Sequence, residues 1–380
     1  MINHQEFRVP RLRVCLITWS LQPGGAERWV VTLARHFQGF RVTSLIDLSG
    51  APGPLLKEIP RDIPVLYQDP ESNPLSSCID TALALGCDII VGWGDITIPN
   101  IESCPVPVVL VSHATPEGPV DPTPPSAHFL AAVSQGSATS WPAQLRDSVD
   151  VLYNGVPLDR LDPLVDPPEQ RDQWGIPRDN LTRVALYMGR FSAEKNPGAM
   201  LQVLPYLPNH WVVAMHGWGP MLPELIAQAP NYCRKTGGTS NLFFPKPTPN
   251  SVGSIYRAAD VVVIPSHREA FPLTLIEAWL TRTPVIITDQ PILRELAQVF
   301  SVDPSVLATI IPIDPTPRQL GDAIVAPVDE AAIEERFIIA SRHFTAAKMI
   351  ARWESYLLEC IRLWQSTSLI SEVQYIEPKQ

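Results

Sequence analysis

Short apolar runs alternate with segments whose apolar residues return at helical spacing, and this pattern is repeated in both halves of the chain. Such alternation predicts parallel α/β sheets, because a strand covered on both faces by helices reads as a continuous apolar run. In the first half the predicted strands are Val14–Trp19, Val42–Ile46, Asp88–Gly92, Val106–Val111 and Phe129–Val133, with a helix over Glu27–Phe37. A second series comprises Arg183–Met188, Trp211–Met215, Asn241–Phe244, Val261–Pro265 and Pro284–Thr288. Between the series, Asn154–Asn180 is rich in Pro and Asp and has no clear period, which predicts an interdomain linker. Phe344–Trp364 has the length and spacing of a long amphipathic helix. The residues after it show no strong pattern. No short-period repeat is present, which excludes a solenoid.

Length supports this division. With 380 residues the chain exceeds one comfortable hydrophobic core. The expected organisation is a Rossmann-like domain over 1–155, a linker over 156–182, a second Rossmann-like domain over 183–343, a helix over 344–365 returning to the first domain, and a tail over 366–380. The 41 prolines read as stiff connections rather than a low-complexity tract. A net charge of −10 argues against a nucleic-acid partner, which needs a basic face to neutralise phosphates. The first 150 residues carry 9 Lys and Arg against 15 Asp and Glu, so no basic surface for anionic lipid is evident. The 6 cysteines show no metal-type spacing, which predicts reduced thiols. The polar Met1–Arg13 does not read as a signal peptide, and no apolar stretch approaches the ~20 residues that span a bilayer. A cytoplasmic protein is expected, with at most peripheral contact to the inner face of the membrane.

Candidate chemistry falls at predicted strand ends, where ligands bind in open α/β sheets. Gly24-Gly25 follows the first strand and opens a helix, whose N-terminal N–H groups suit an anion. The three-glycine dinucleotide fingerprint is incomplete there. Gly189-Arg190 through Lys195-Asn196 places two cations in one loop, suited to neutralising a departing diphosphate. Glu269 follows another strand, and Glu277 falls eight positions later in an apolar helix, where a carboxylate needs partners. His113 ends a first-half strand, and Gly217-Trp218-Gly219 signals a close backbone approach. For each of these a purely structural role is the competing reading: a strand–helix turn, solvated surface charges, a satisfied core Glu, a structural histidine.

In order and spacing these segments resemble the retaining glycosyltransferases of family 4 (glycosyl transferases group 1), which have the GT-B fold: α/β, with two Rossmann-like domains facing across a cleft. The Gly-Gly-Ala-Glu-Arg loop, the Gly-Arg…Glu-Lys-Asn loop and the glutamates separated by seven residues carry the resemblance. It implies that Arg190 and Lys195 hold the donor diphosphate, Glu269 holds the transferred sugar and Glu277 binds the ribose hydroxyls. It further implies that amides around Phe271, Leu273 and Thr274 line the sugar and phosphates. His113 would contact the sugar near the reacting carbon, and Gly24 and Gly25 would close over the phosphates. Gly189 belongs to the phosphate loop, while Gly217 and the run after Phe244 would lie near the base.

The resemblance implies a UDP- or GDP-sugar donor, retention of configuration, no required cofactor and no metal, in agreement with the lack of an Asp-x-Asp pair. The acceptor would meet first-domain loops at Gly50–Pro74 and Pro116–Pro125. Their composition favours a glycan, peptide or small molecule over anionic lipid. Two departures stand out: Arg282 where the family has glycine, and Asp289–Glu295 in place of a Gly-Gly loop. A sugar-nucleotide epimerase of the same fold and a degenerate scaffold protein remain as alternatives. An NAD-dependent dehydrogenase is disfavoured by the missing third glycine.

Overall fold

Two parallel sheets carry the fold, one in each of the two units into which the chain divides. The computed structural model describes residues 11–94, 96–115, 120, 125–176, 181–233, 235–236, 239–245 and 252–373.

The first unit runs to Val133 and adds Ser137–Leu152 and the chain from Met349 onward. Its strands are β1 (Leu12–Thr18), β2 (Phe40–Asp47), β3 (Val65–Tyr67), β4 (Ile89–Trp93), β5 (Val108–Ser112), β6 (Phe129–Ala132) and β7 (Val149–Val151). They form a seven-stranded parallel sheet in the order β3-β2-β1-β4-β5-β6-β7. Central strands β1 and β5 are apolar and buried along nearly their whole length, as a doubly covered sheet requires. Helix Gly25–His36 has Glu27 in its first turn and Arg35 and His36 in its last, each sign matching the helix dipole. Strands β3 and β7 were not expected from the apolar pattern, because each is a three-residue edge strand with no buried residue.

The second unit holds Ser134–Gly136 and Tyr153–Lys348. Its strands are β8 (Arg183–Arg190), β9 (Trp211–Trp218), β10 (Lys235–Thr236), β11 (Thr239–Ser240), β12 (Leu242–Phe243), β13 (Val261–Ile264), β14 (Val285–Thr288) and β15 (Thr309–Ile311). The main sheet is parallel in the order β12-β9-β8-β13-β14-β15, and β10 and β11 make a small antiparallel pair. Val213, Val263, Ile286, Leu201 and Leu204 belong to its core. In both units the strand order reverses direction beside the first strand, and the crevice for ligands in such sheets lies beyond the strand ends at that point.

The stretch expected to be an interdomain linker includes helical elements. Leu158–Leu161 forms a helical turn and Pro167–Gln173 a helix. Asp166 caps that helix by accepting from the Glu169 N–H, and two prolines open it. Trp174 and Ile176 are buried. A seven-residue helix fixed by its cap shows no apolar period, so the pattern missed it. Residues 177–180 lie outside the described residues.

The last helix spans Ala346–Val373, beyond the predicted Trp364, and from Met349 it belongs to the first unit. Met349, Trp353, Leu357, Cys360 and Ile361 are its buried stripe. Trp353 lies 5.2 Å from the Trp29 ring, and Glu354 accepts from the N–H groups of Gln38 and Gly39. All six cysteines are free thiols.

Candidate functional site

The second unit gathers most of the expected residues at the C-terminal ends of β8 and β13, its switch point. Gly189 on β8 pairs with Gly217 on β9, and a Cβ added to Gly217 would stand 1.8 Å from the Gly189 carbonyl. The close approach that the sequence signalled at Gly217 is therefore to a neighbouring strand. Arg190, exposed at the strand end, carries its guanidinium 5.1 Å over the Trp218 ring. Beneath it, Tyr187 donates to the Arg190 carbonyl at 2.6 Å. Burial, together with the charges of Glu269 and Glu194, pushes the Tyr187 phenol well above its ordinary value, so it stays a donor.

Lys195 ends a tight turn closed by Asn196, which adopts the left-handed conformation (φ 47°). Its ammonium lies 2.8 Å from Glu269 Oε1. The same oxygen accepts from Ser266 Oγ at 2.7 Å. Glu269 is buried, so these partners offset the cost of its charge. Gln290 pins the Glu269 backbone: its Oε1 accepts from the Glu269 N–H at 2.9 Å. Its amide donates to the Ser266 carbonyl at 2.9 Å and to Thr288 Oγ1 at 2.8 Å. The loop that departs from the family pattern thus contributes a clamp on the catalytic candidate Glu269.

Helix Leu273–Leu280 begins at Pro272, which offers no side-chain cap, so its first-turn N–H groups remain suited to an anion. Phe271 turns inward, its ring 5.8 Å from Tyr153 and 5.5 Å from Phe344. Thr274 Oγ1 donates to the Met188 carbonyl at 3.3 Å, tying this helix to β8. On the same helix Glu277 is buried and held on both oxygens, by Arg160 Nε at 3.1 Å and Tyr256 Oη at 2.5 Å.

In the first unit, His113 follows β5, its ring 4.6 Å from Trp29 and 5.7 Å from Trp93. Burial lowers its pKa to about 3, so the imidazole is neutral near pH 7. Its Nε2 has no hydrogen-bond partner among the described residues. Gly24 caps helix Gly25–His36, and a Cβ there would meet the Glu27 carboxylate at 2.2 Å. The room at Gly24 is taken by this chain's own acid, so an anion docking on Gly24-Gly25 must first displace it.

Arg282 adopts φ 55°, the left-handed conformation that glycine enters freely. It is anchored by Glu334 at 2.8 Å and lies over Phe337. Arg160, Tyr256 and Ser266 were not foreseen, and nothing in their local sequence distinguishes them; Gln290 lies in the departing Asp289–Glu295 loop, but its part in holding Glu269 was not foreseen. The expected acceptor loop at 116–125 lies outside the described residues except Val120 and Pro125, as does the run at 246–250. Among the described residues, no group of three or more His, Cys, Asp or Glu is placed to hold a metal ion. No helix among them is long and apolar enough to cross a membrane.

This is an α/β protein of two Rossmann-like halves with the GT-B fold. Residues 167–303 match the family described as Glycosyl transferases group 1. A D-inositol 3-phosphate glycosyltransferase of Xylanimonas cellulosilytica is 30% identical over 146 residues, covering 37% of this chain and 34% of that protein. Its counterpart from Mycolicibacterium smegmatis is 29% identical over 148 residues, covering 37% and 32%. The match spans about one third of these relatives' length. Among solved structures, Anabaena HepE in complex with UDP-glucose superposes with a TM-score of 0.70 at 18% identity, covering 92% of this chain and 100% of that one. Sucrose-phosphate synthase from Thermosynechococcus elongatus does so at 0.66 and 17%, covering 93% and 100%.

Proposed function

We propose that this chain is a glycosyltransferase that moves a sugar from a UDP- or GDP-sugar to an acceptor hydroxyl, retaining anomeric configuration and requiring no divalent metal. The observation that carries the reading is the Lys195–Glu269 pair beside Arg190 at the β8–β13 switch point. The bond between the anomeric carbon and the diphosphate oxygen breaks, and the acceptor oxygen bonds to that carbon. The acceptor's proton passes to the departing diphosphate.

Arg190 and Lys195 stabilise the charge that develops on the leaving group. N–H groups of Leu273 and Thr274 at the helix start take phosphate oxygens. Glu269 accepts from hydroxyls of the transferred sugar, and Glu277 from the ribose. His113, neutral, offers its ring nitrogen to a substrate hydroxyl. The acceptor is a glycan, peptide or small molecule. Glycosyltransferase relatives of the matched segment and the UDP-glucose held by HepE support the donor class.

Thermal-shift and calorimetric titration with UDP, GDP, ADP and NAD, each with magnesium and with EDTA, tests the reading. Binding of one nucleoside diphosphate, unchanged by EDTA and weakened in Glu277→Ala, is expected. No response to any nucleoside diphosphate at millimolar concentration overturns it. Product NMR reads retention, and conversion of the donor sugar without an acceptor would mark an epimerase instead.

A further inference from the structure

The Glu277 carboxylate is gripped from two directions by elements distant in sequence. Arg160 belongs to the turn Leu158–Leu161, 117 residues before Glu277, and Tyr256 to the helix Gly253–Arg257. These two elements are docked on each other at van der Waals limits. A Cβ on Gly253 would lie 1.9 Å from the Leu161 carbonyl. The Val252 N–H donates to the Arg160 carbonyl at 3.0 Å, and Arg257 Nη1 donates to the Leu161 carbonyl at 2.8 Å. The positions of Arg160 and Tyr256 are thus fixed relative to each other by contacts that do not involve Glu277.

Each carboxylate oxygen has about two lone-pair directions. Arg160 occupies one on Oε1 and Tyr256 one on Oε2. One acceptor direction per oxygen is left, an arrangement that matches two adjacent hydroxyls. Tyr256 is fully buried beside a negative charge, and both effects hold its phenol protonated, so it donates at any physiological pH. Arg160 places an opposite charge 3.1 Å from the buried Glu277 carboxylate, the partner that a buried carboxylate needs.

We infer that Arg160 and Tyr256 are positioning residues that aim Glu277 at the ribose cis-diol of the donor and so make the protein discriminate ribonucleotides from deoxyribonucleotides. This rests on the reading that Glu277 meets the donor ribose.

The test is calorimetry with whichever of UDP, GDP and ADP binds wild-type protein tightest, together with its 2′-deoxy and 3′-deoxy forms. Wild type is expected to prefer the ribose form about tenfold or more, the equivalent of one charge-assisted hydrogen bond. Glu277→Ala is expected to erase that preference. Arg160→Met and Tyr256→Phe are expected to weaken the ribose form about tenfold while changing the deoxy forms less than about twofold. Arg160→Lys, which keeps the charge, secures the result if Arg160→Met does not fold, and it is expected to restore part of the preference. Equal weakening of ribose and deoxy forms, or an unchanged ratio, in folded Arg160 and Tyr256 variants overturns the inference while Glu277→Ala still upholds the donor reading. An absent preference in wild type, or one that survives Glu277→Ala, overturns the donor reading and the inference with it.

Discussion

Lys195 Nζ lies 2.8 Å from Glu269 Oε1, so the cation suited to a departing diphosphate is already held by the carboxylate suited to the sugar. The pair joins the segments that follow β8 and β13 at the switch point, so each group helps to orient the other. Lys195 remains 30% exposed, which leaves its ammonium able to take a second acceptor.

In the proposed reaction, Lys195→Ala is expected to remove charge stabilisation from the transition state more than from the bound donor. Steady-state kinetics should show kcat lowered about a hundredfold or more, with a much smaller change in donor KM. A variant of unchanged kcat would remove Lys195 from the chemistry.

Glu277→Ala is expected to weaken nucleoside diphosphate binding about tenfold or more. It also leaves the Arg160 guanidinium without this partner, and a broken buried pair costs about 3 kcal/mol. Calorimetry and urea denaturation of the same preparation separate the two effects. Wild-type affinity in the folded variant would rule out the assigned role.

Gln290→Ala removes three hydrogen bonds and strands the buried Glu269 N–H. Urea unfolding is expected to show a loss of about 2–3 kcal/mol. Turnover should fall with it, because Glu269 loses its backbone anchor. Stability within about 0.5 kcal/mol of wild type would show that the clamp contributes nothing.

Gly217→Ala places a Cβ 1.8 Å from the Gly189 carbonyl, a backbone atom that cannot swing aside. Separation of β8 and β9 at the site is the expected consequence, with a loss of about 1–3 kcal/mol. Thermal melting with and without nucleotide reads it. An unchanged melting temperature would mean that the two strands relax freely.

Acid should destabilise the protein through two histidines that desolvation holds neutral. Burial lowers His216 from 6.5 to about 4, helped by the Arg160 charge, and burial lowers His113 to about 3. Below pH 6.5 the unfolded chain binds these protons and the folded chain does not. Stability is full above that pH and falls as pH drops toward 4, by about 1.4 kcal/mol per pH unit for each group. Melting temperatures of wild type and His216→Gln between pH 7.5 and 4.5 check this (roughly the window set by the shift). The variant should show the shallower fall; parallel curves would exclude His216 as a source.

The strands at the centre of each sheet were written plainly in the chain. Val14–Ile17 and Val261–Ile264 are buried on both faces, so their apolar runs are continuous and need no context to be read. The strand-end positions of Arg190, Lys195 and Glu269 were equally legible, because Arg190 closes one such strand and Lys195 and Glu269 follow their strands by a few residues. Strands β3, β7 and β15 escaped because a short edge strand carries no full apolar run.

Local sequence alone thus determined the parallel α/β class, the strand-end placement of Arg190, Lys195 and Glu269, and the long final helix. Only tertiary structure decided which groups hold them. Arg160 reaches Glu277 across 117 positions, and Gln290 reaches the Glu269 N–H across 21. It also decided that Gly217 serves a neighbouring strand and that Gly24 is filled by Glu27. A carboxylate's need for partners follows from its burial, but which partner meets it is set by chain packing, and no local pattern in the sequence encodes that choice.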